Sequence, residues 1–182
     1  AEHVASFGPA AARTREATVF ARLNTEIPGD VGCWMVYFLN IVDLDVGDGL
    51  FLAPNEPHSY LSGDCVEVQA ASDNVIRAGL TPKFKDVDTL LDILTYSTDS
   101  LDHSQYFTDG KSVQKYMPPA WCDDFALTVV RLSKEAETAT ISAPSSVVLG
   151  VVTAGSGVVN GIAVASGACI AIPCGDAEVT FA

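Results

Sequence analysis

A mainly β protein is predicted, built as jelly-roll barrels, with a short N-terminal helix and a second helix near residues 86–95. Three observations predict it. Short apolar stretches recur closely from Phe125 to the end of the chain. Glycine-bearing turns such as 154–157 and Asn160-Gly161 separate them, the spacing expected of a β-sandwich or barrel. Helical periodicity, by contrast, is confined to two short stretches.

Taken in order, Val19, Phe20, Leu23 and Ile27 fall at helical spacing, and Pro28-Gly29 ends that helix over 18–27. Residues 34–42 are rich in aromatic and β-branched side chains. The turn at 46–49 then leads into 50–52, so strand, turn, strand is expected. Alternation over 65–71 predicts another strand. Asp86 is placed to cap a helix with Asp88 in its first turn and Leu90, Leu91 and Leu94 on its inner face. The segment 95–115 lacks clear periodicity and reads as a long loop with weak strands. Strands are then expected at 125–132, 138–141, 147–153, 157–159, 162–164, 168–172 and 178–181. An internal echo links 46–54 to 165–173: each has a glycine turn, an apolar run and a proline.

The chain has 182 residues, 48% of them hydrophobic, enough for a core in one or two domains. A formal charge of -13 argues against nucleic acid or an anionic membrane as partner. No apolar run is long enough for a membrane span, and residues 1–17 lack a signal-peptide core, so a cytoplasmic location is expected. Cys33, Cys65, Cys122, Cys169 and Cys174 lack CxxC spacing and read as reduced, mostly buried thiols. The first residue is Ala1 and the only methionines are Met35 and Met117, so the chain is expected to be a piece of a longer product.

The chemistry concentrates in residues 54–85. No Lys or Arg occurs from Leu23 to Ile76; Arg77, Lys83 and Lys85 then arrive together, a way for an acidic protein to meet an anionic substrate. His58 follows a short apolar run and a proline-bracketed turn, a position that presents an imidazole to a metal or small ligand. Taken singly, His58 reads as a structural histidine. Glu67 stands between a solvated strand face and a site, and 72–74 is most simply a turn built on Asx hydrogen bonds. Within 116–182 there is no histidine, and Asp123, Asp124, Glu135 and Glu137 read as solvated.

The string PGDVG (28–32) followed by LFLAPNEPHSYLSGDCVEVQAASDNVIRAGLTPKFKDVDTL (50–90) resembles the type I mannose-6-phosphate isomerases, zinc-dependent phosphomannose isomerases of the cupin superfamily. Departures are small: Val46 for proline, Ser59 for alanine, and Val68-Gln69 for Cys-Met. The match is strong over 28–96 and looser over 116–182. It implies an aldose–ketose isomerase that interconverts mannose 6-phosphate and fructose 6-phosphate through an enediol, with one Zn2+ stabilising developing charge. On that resemblance His58 is a zinc ligand and Arg77 stabilises the enediolate or relays a proton. Lys83, Tyr60, Glu67 and Asp73 line the same pocket, and either Glu67 or Asp73 handles protons.

In the family the zinc is held by a Gln, two His and a Glu, three of them upstream of the PGDVG segment. His3 lacks the family's Gln-x-His context, and His103 lies in a polar loop. The chain thus resembles a C-terminal portion: 1–27 the tail of a helical region, 28–96 the second part of the catalytic cupin domain, 97–182 a C-terminal cupin-like jelly roll. An N-terminal portion of the same enzyme is the expected partner, with a sugar phosphate as substrate. The alternative is a non-catalytic cupin-type module that binds a sugar phosphate or only scaffolds, without a metal.

Overall fold

The computed structural model describes residues 14–97, 106–108, 112–134, 137–142, 144–175 and 178–182. The chain divides into two compact units, Ala1–His103 and Ser104–Ala182.

Unit 1 is ordered around one helix. Helix α1, Arg15–Glu26, begins where the Thr14 side chain accepts from the Ala17 amide, with Glu16 near the positive end of the helix dipole. Its buried face carries Ala17, Phe20 and Leu23. After Pro28-Gly29 the Asp30 side chain caps a 3-10 helix, Val31–Tyr37, which buries Gly32, Cys33 and Val36. Phe20, Leu23, Cys33 and Val36 form the core of the unit, with Val19, Leu61 and Leu80 packed against it. The Phe20 ring also lies 4.8 Å from Trp34 and 5.9 Å from Tyr37. Each large apolar side chain sealed here contributes about 1.5–3 kcal/mol. Helix α2, Val87–Ile93, opens as expected, the Asp86 carboxylate accepting from the Thr89 amide at 3.1 Å and its hydroxyl at 2.8 Å.

Three expectations fail in this unit. The strand predicted over 34–42 is absent: Trp34 to Tyr37 complete the 3-10 helix, and 38–42 join no ladder. Over 50–52 only an isolated bridge at Leu50 forms, and 65–71 run exposed without sheet pairing. A strand exists through its neighbour's backbone hydrogen bonds, and apolar composition alone does not supply one. The Asp30 cap and the contact of Trp34 with Phe20 meanwhile favour the tighter helical turn. The inner face of α2 is also narrower than expected, since Leu91 is 54% exposed.

Unit 2 is all β. Its strands are β1 (Tyr106–Thr108), β2 (Val113–Tyr116), β3 (Leu127–Val130), β4 (Ala139–Ile141), β5 (Val148–Val151), β6 (Ser156–Val159), β7 (Ile162–Ala165), β8 (Cys169–Ile172) and β9 (Val179–Phe181). They form a β1-β2-β3 sheet, a β4-β9-β6-β7 sheet and a β5-β8 pair, every pairing antiparallel. Strands β6 and β7 are joined by Asn160 and Gly161, both at positive φ (49° and 82°), the backbone that a two-residue hairpin requires. Ala139, Val159 and Val179 are buried in the four-stranded sheet and Val113 in the three-stranded one. Asp123, Asp124 and Glu137 are exposed, as expected of solvated acids; Glu135 lies outside the described residues.

Among the described residues no helix is long and apolar enough to cross a membrane. All five cysteines are free, but only Cys33 is buried; Cys65, Cys169 and Cys174 are exposed, against the expectation of mostly buried thiols. Exposed turns and short strands leave no core deep enough to cover them.

Candidate active site

The turn that carries His58 is built by its own residues. Asn55 takes a positive φ of 66°, which asparagine tolerates, and the Glu56 carboxylate accepts from the Ala53 amide at 3.1 Å. The Glu56 carbonyl lies 2.9 Å from His58 Nδ1. A carbonyl only accepts, so Nδ1 carries a proton, and in the neutral imidazole the lone pair is then on Nε2. A backbone carbonyl behind the ring is also the usual way a metal-binding histidine is oriented.

Tyr60 stands beside it, its ring centroid 5.7 Å from that of His58. Its hydroxyl donates to Glu67 Oε1 at 2.9 Å. Partial burial, then the Glu67 carboxylate that accepts its hydrogen bond, push the Tyr60 phenol up to about 12. Tyr60 is therefore neutral at physiological pH and acts as a donor. The structure thus brings His58, Tyr60 and Glu67 together.

Asp73, Arg77 and Lys83 are placed differently. Asp73 and Lys83 are exposed and Arg77 is half-buried. Among the described residues no hydrogen bond or ion pair engages the Arg77 or Lys83 side chain, and none joins either to His58, Tyr60 or Glu67. Lys85, the third cation of the expected anion site, is diverted: it pairs with Asp30 Oδ2 at 3.5 Å and donates to the Thr81 carbonyl at 2.8 Å.

Asp30 is the residue that sequence reasoning missed. Its Oδ1 accepts from the Gly32 amide at 2.7 Å and from the Leu80 amide, fifty residues on, at 2.8 Å. Burial raises the Asp30 carboxyl, but the Leu80 and Gly32 amides and the Lys85 ammonium outweigh it and hold the group below its ordinary value. The two backbones meet closely here. A Cβ on Gly79 would stand 2.7 Å from Gly32 Cα, and one on Gly32 would stand 2.8 Å from the Leu80 nitrogen. Leu80 itself sits at a φ of 53°, a strained setting for leucine that costs on the order of 1–3 kcal/mol and persists only where its surroundings fix it. The signal in the sequence was an aspartate flanked by glycines in PGDVG, facing a glycine in RAGLTPK. An open depression beside this clasp is lined by Glu26, Pro28, Asp30, Thr81 and Lys85, and by none of the expected site residues.

A catalytic zinc needs at least three protein ligands. Among the described residues no group of three His, Cys, Asp or Glu side chains is placed to hold a metal. His58 fits as one ligand; the described residues alone do not make a zinc site. His3 and His103 lie outside the described residues.

A mainly β fold with a histidine turn and a Tyr–Glu pair in unit 1, and with Arg77 and Lys83 unpaired among the described residues, defines the class as a mainly β protein with a polar site in unit 1. The solved structure of a lysine-to-alanine mutant of phosphomannose isomerase from Salmonella typhimurium matches 94% of the chain with a TM-score of 0.76 at 25% identity. The chain is 47% identical over 133 residues to the probable mannose-6-phosphate isomerase of Echinococcus multilocularis, covering 70% of this chain and 30% of that one. It is 40% identical over 158 residues to the mannose-6-phosphate isomerase of Aspergillus fumigatus, 78% of this chain and 34% of the relative. No family model matches. The chain belongs to the mannose-6-phosphate isomerase family. It spans about a third of the length of these curated relatives.

Proposed function

We propose that this chain is the C-terminal portion of a cytoplasmic, zinc-dependent aldose–ketose isomerase that interconverts mannose 6-phosphate and fructose 6-phosphate. The observation that carries the reading is the identity of 40–47% over 70–78% of the chain to mannose-6-phosphate isomerases. The cupin domains are taken as 28–96 and 97–182, with an N-terminal portion of the same enzyme as the partner that completes the first. Three zinc ligands come from that portion and His58 Nε2 is the fourth.

The chain's own residues have distinct tasks. Arg77, half-buried and free of ion pairs among the described residues, meets the negative charge that develops on the substrate oxygens as the enediolate forms. Lys83 supplies a second positive charge for the anionic substrate. Tyr60, held neutral, donates to Glu67 and keeps that carboxylate oriented. Either Glu67 or Asp73 then accepts or returns the proton exchanged between C1 and C2.

The test uses the full-length protein. Replacing His58 with alanine is expected to lower bound zinc and abolish isomerisation. Arg77→Ala is expected to keep zinc and lose roughly 100-fold or more in kcat, as for other groups that stabilise a transition-state oxyanion. Chelator-sensitive isomerase activity from this chain alone, at proven purity, would refute the need for an N-terminal portion. An Arg77→Ala variant with full activity would remove Arg77 from the site.

A further inference from the structure

The two signature segments of this chain, PGDVG and RAGLTPK, are bound to each other through one carboxylate. Asp30 accepts from the amides of Gly32 and Leu80 and pairs with Lys85, and the Gly32 and Gly79 backbones abut without room for a Cβ. Leu80 lies three residues after Arg77 and three before Lys83. Its side chain is seated against the unit 1 core and its backbone is held at positive φ. Beyond it, the Lys83 amide donates to Thr81 Oγ1 at 3.2 Å, while Lys85 returns to the Thr81 carbonyl and to Asp30. The clasp therefore sorts three cations, with Lys85 consumed in the fold and Arg77 and Lys83 left unpaired among the described residues.

We infer that Asp30 is a positioning residue for Lys83 and Arg77, fixing the 79–85 backbone that carries Lys83 and directly follows Arg77 so that both cations face the anionic substrate of the proposed reaction. This rests on the functional reading above, since it takes the sugar phosphate as that substrate. Asp30 touches no substrate; it acts through the Leu80 amide and through Lys85. A displacement of the loop by about 1 Å is enough to lose much of the benefit of a positioned charge.

The experiment is a mutant cycle in the full-length protein with fructose 6-phosphate as the probe. Asp30→Asn keeps an oxygen for the two amides and removes the charge that holds Lys85. It is expected to raise KM by about threefold, whereas Asp30→Ala lowers kcat/KM by roughly 10–100-fold. The deciding readout is coupling with Lys83→Ala. If Asp30 acts by placing that ammonium, Asp30→Ala costs much less in the Lys83→Ala background than in the parent. Loss of thermal stability, by contrast, is expected to be equal in both backgrounds. The same factor in both backgrounds, in kcat/KM, overturns the inference and leaves the functional reading standing. A parent enzyme with no isomerase activity overturns the functional reading and, with it, the inference. Should Asp30→Ala fail to fold, the cycle is read with Asp30→Asn and Lys83→Ala, where additivity again counts against it.

Discussion

Residues 46–54 in unit 1 and 165–173 in unit 2 share a pattern of glycine turn, apolar run and proline. Both turns form, with Gly47 at a φ of 102° and Gly167 at 88°. In unit 2 the run that follows becomes β8, paired residue for residue with β5 from Val148–Ile172 to Val151–Cys169. In unit 1 the run 50–52 gains only an isolated bridge. The difference lies in what each run meets. A turn is closed by local dihedral preferences, but a strand needs a neighbour's backbone. Unit 2 holds those neighbours within 79 residues; unit 1 takes its order instead from the α1 core and the Asp30 clasp.

The sharpest way to break this comparison is to empty one core at a time. Phe20 is 3% exposed, and Phe20→Ala is expected to destabilise unit 1 by about 3–5 kcal/mol. Val179→Ala, in the core of unit 2, is expected to cost about 2 kcal/mol. The chain has only two tryptophans, Trp34 in unit 1 and Trp121 in unit 2, so each unit has its own fluorescence reporter in urea unfolding once the other is changed to Phe. Each variant should move one transition and leave the other. If both reporters move together in either variant, the two units unfold as one cooperative body and the contrast drawn above fails.

A smaller effect separates the two kinds of glycine. Gly79→Ala forces a Cβ against the Gly32 backbone at 2.7 Å and is expected to cost about 2–3 kcal/mol in the Trp34 transition. Gly155→Ala in unit 2 has nothing within 4 Å of its Cβ and a φ of 78°, so only backbone strain of about 1 kcal/mol is expected. Equal costs would show that steric closeness at the clasp is relieved by loop movement.

How much could be read from the chain depends on the range of each interaction. Helix α1, the Asp86 cap of α2 and the Asn160-Gly161 hairpin were legible because each is specified within a few residues. Strands β3 to β9 were legible as elements, β5 to β8 being joined by short turns, whereas β1 and β2 fall in or at the edge of the 95–115 segment that reads only as a long loop with weak strands. Residues 34–42 were misread because β-branched and aromatic composition does not distinguish a strand from a 3-10 turn packed on Phe20. The Asp30–Leu80 hydrogen bond spans fifty residues, and the glycines of PGDVG and RAGLTPK mark close backbone approach without saying that the two segments meet each other. Of the site, the resemblance named the residues, but periodicity showed neither that Tyr60 and Glu67 share a proton donor and acceptor nor that Lys85 is withdrawn.

The smallest predicted effect concerns the Tyr60–Glu67 pair, which has no counterpart described in unit 2. The raised Tyr60 value means that the folded state favours the protonated phenol. The stabilisation this adds is fully present below the ordinary tyrosine value of 10.0 and is lost as pH rises from there through about 12. Glu67→Gln removes the negative charge while keeping an oxygen to accept from the hydroxyl, so the Tyr60 midpoint is expected to fall toward 10.0. Ultraviolet tyrosinate absorbance, taken as the difference between the parent chain and Tyr60→Phe in each background, reads this midpoint. More than half of the residue faces solvent, so the overall stability of unit 1 should barely change with this replacement. An unchanged midpoint would assign the shift to burial of the ring alone, and Glu67 would then stand beside Tyr60 without controlling it.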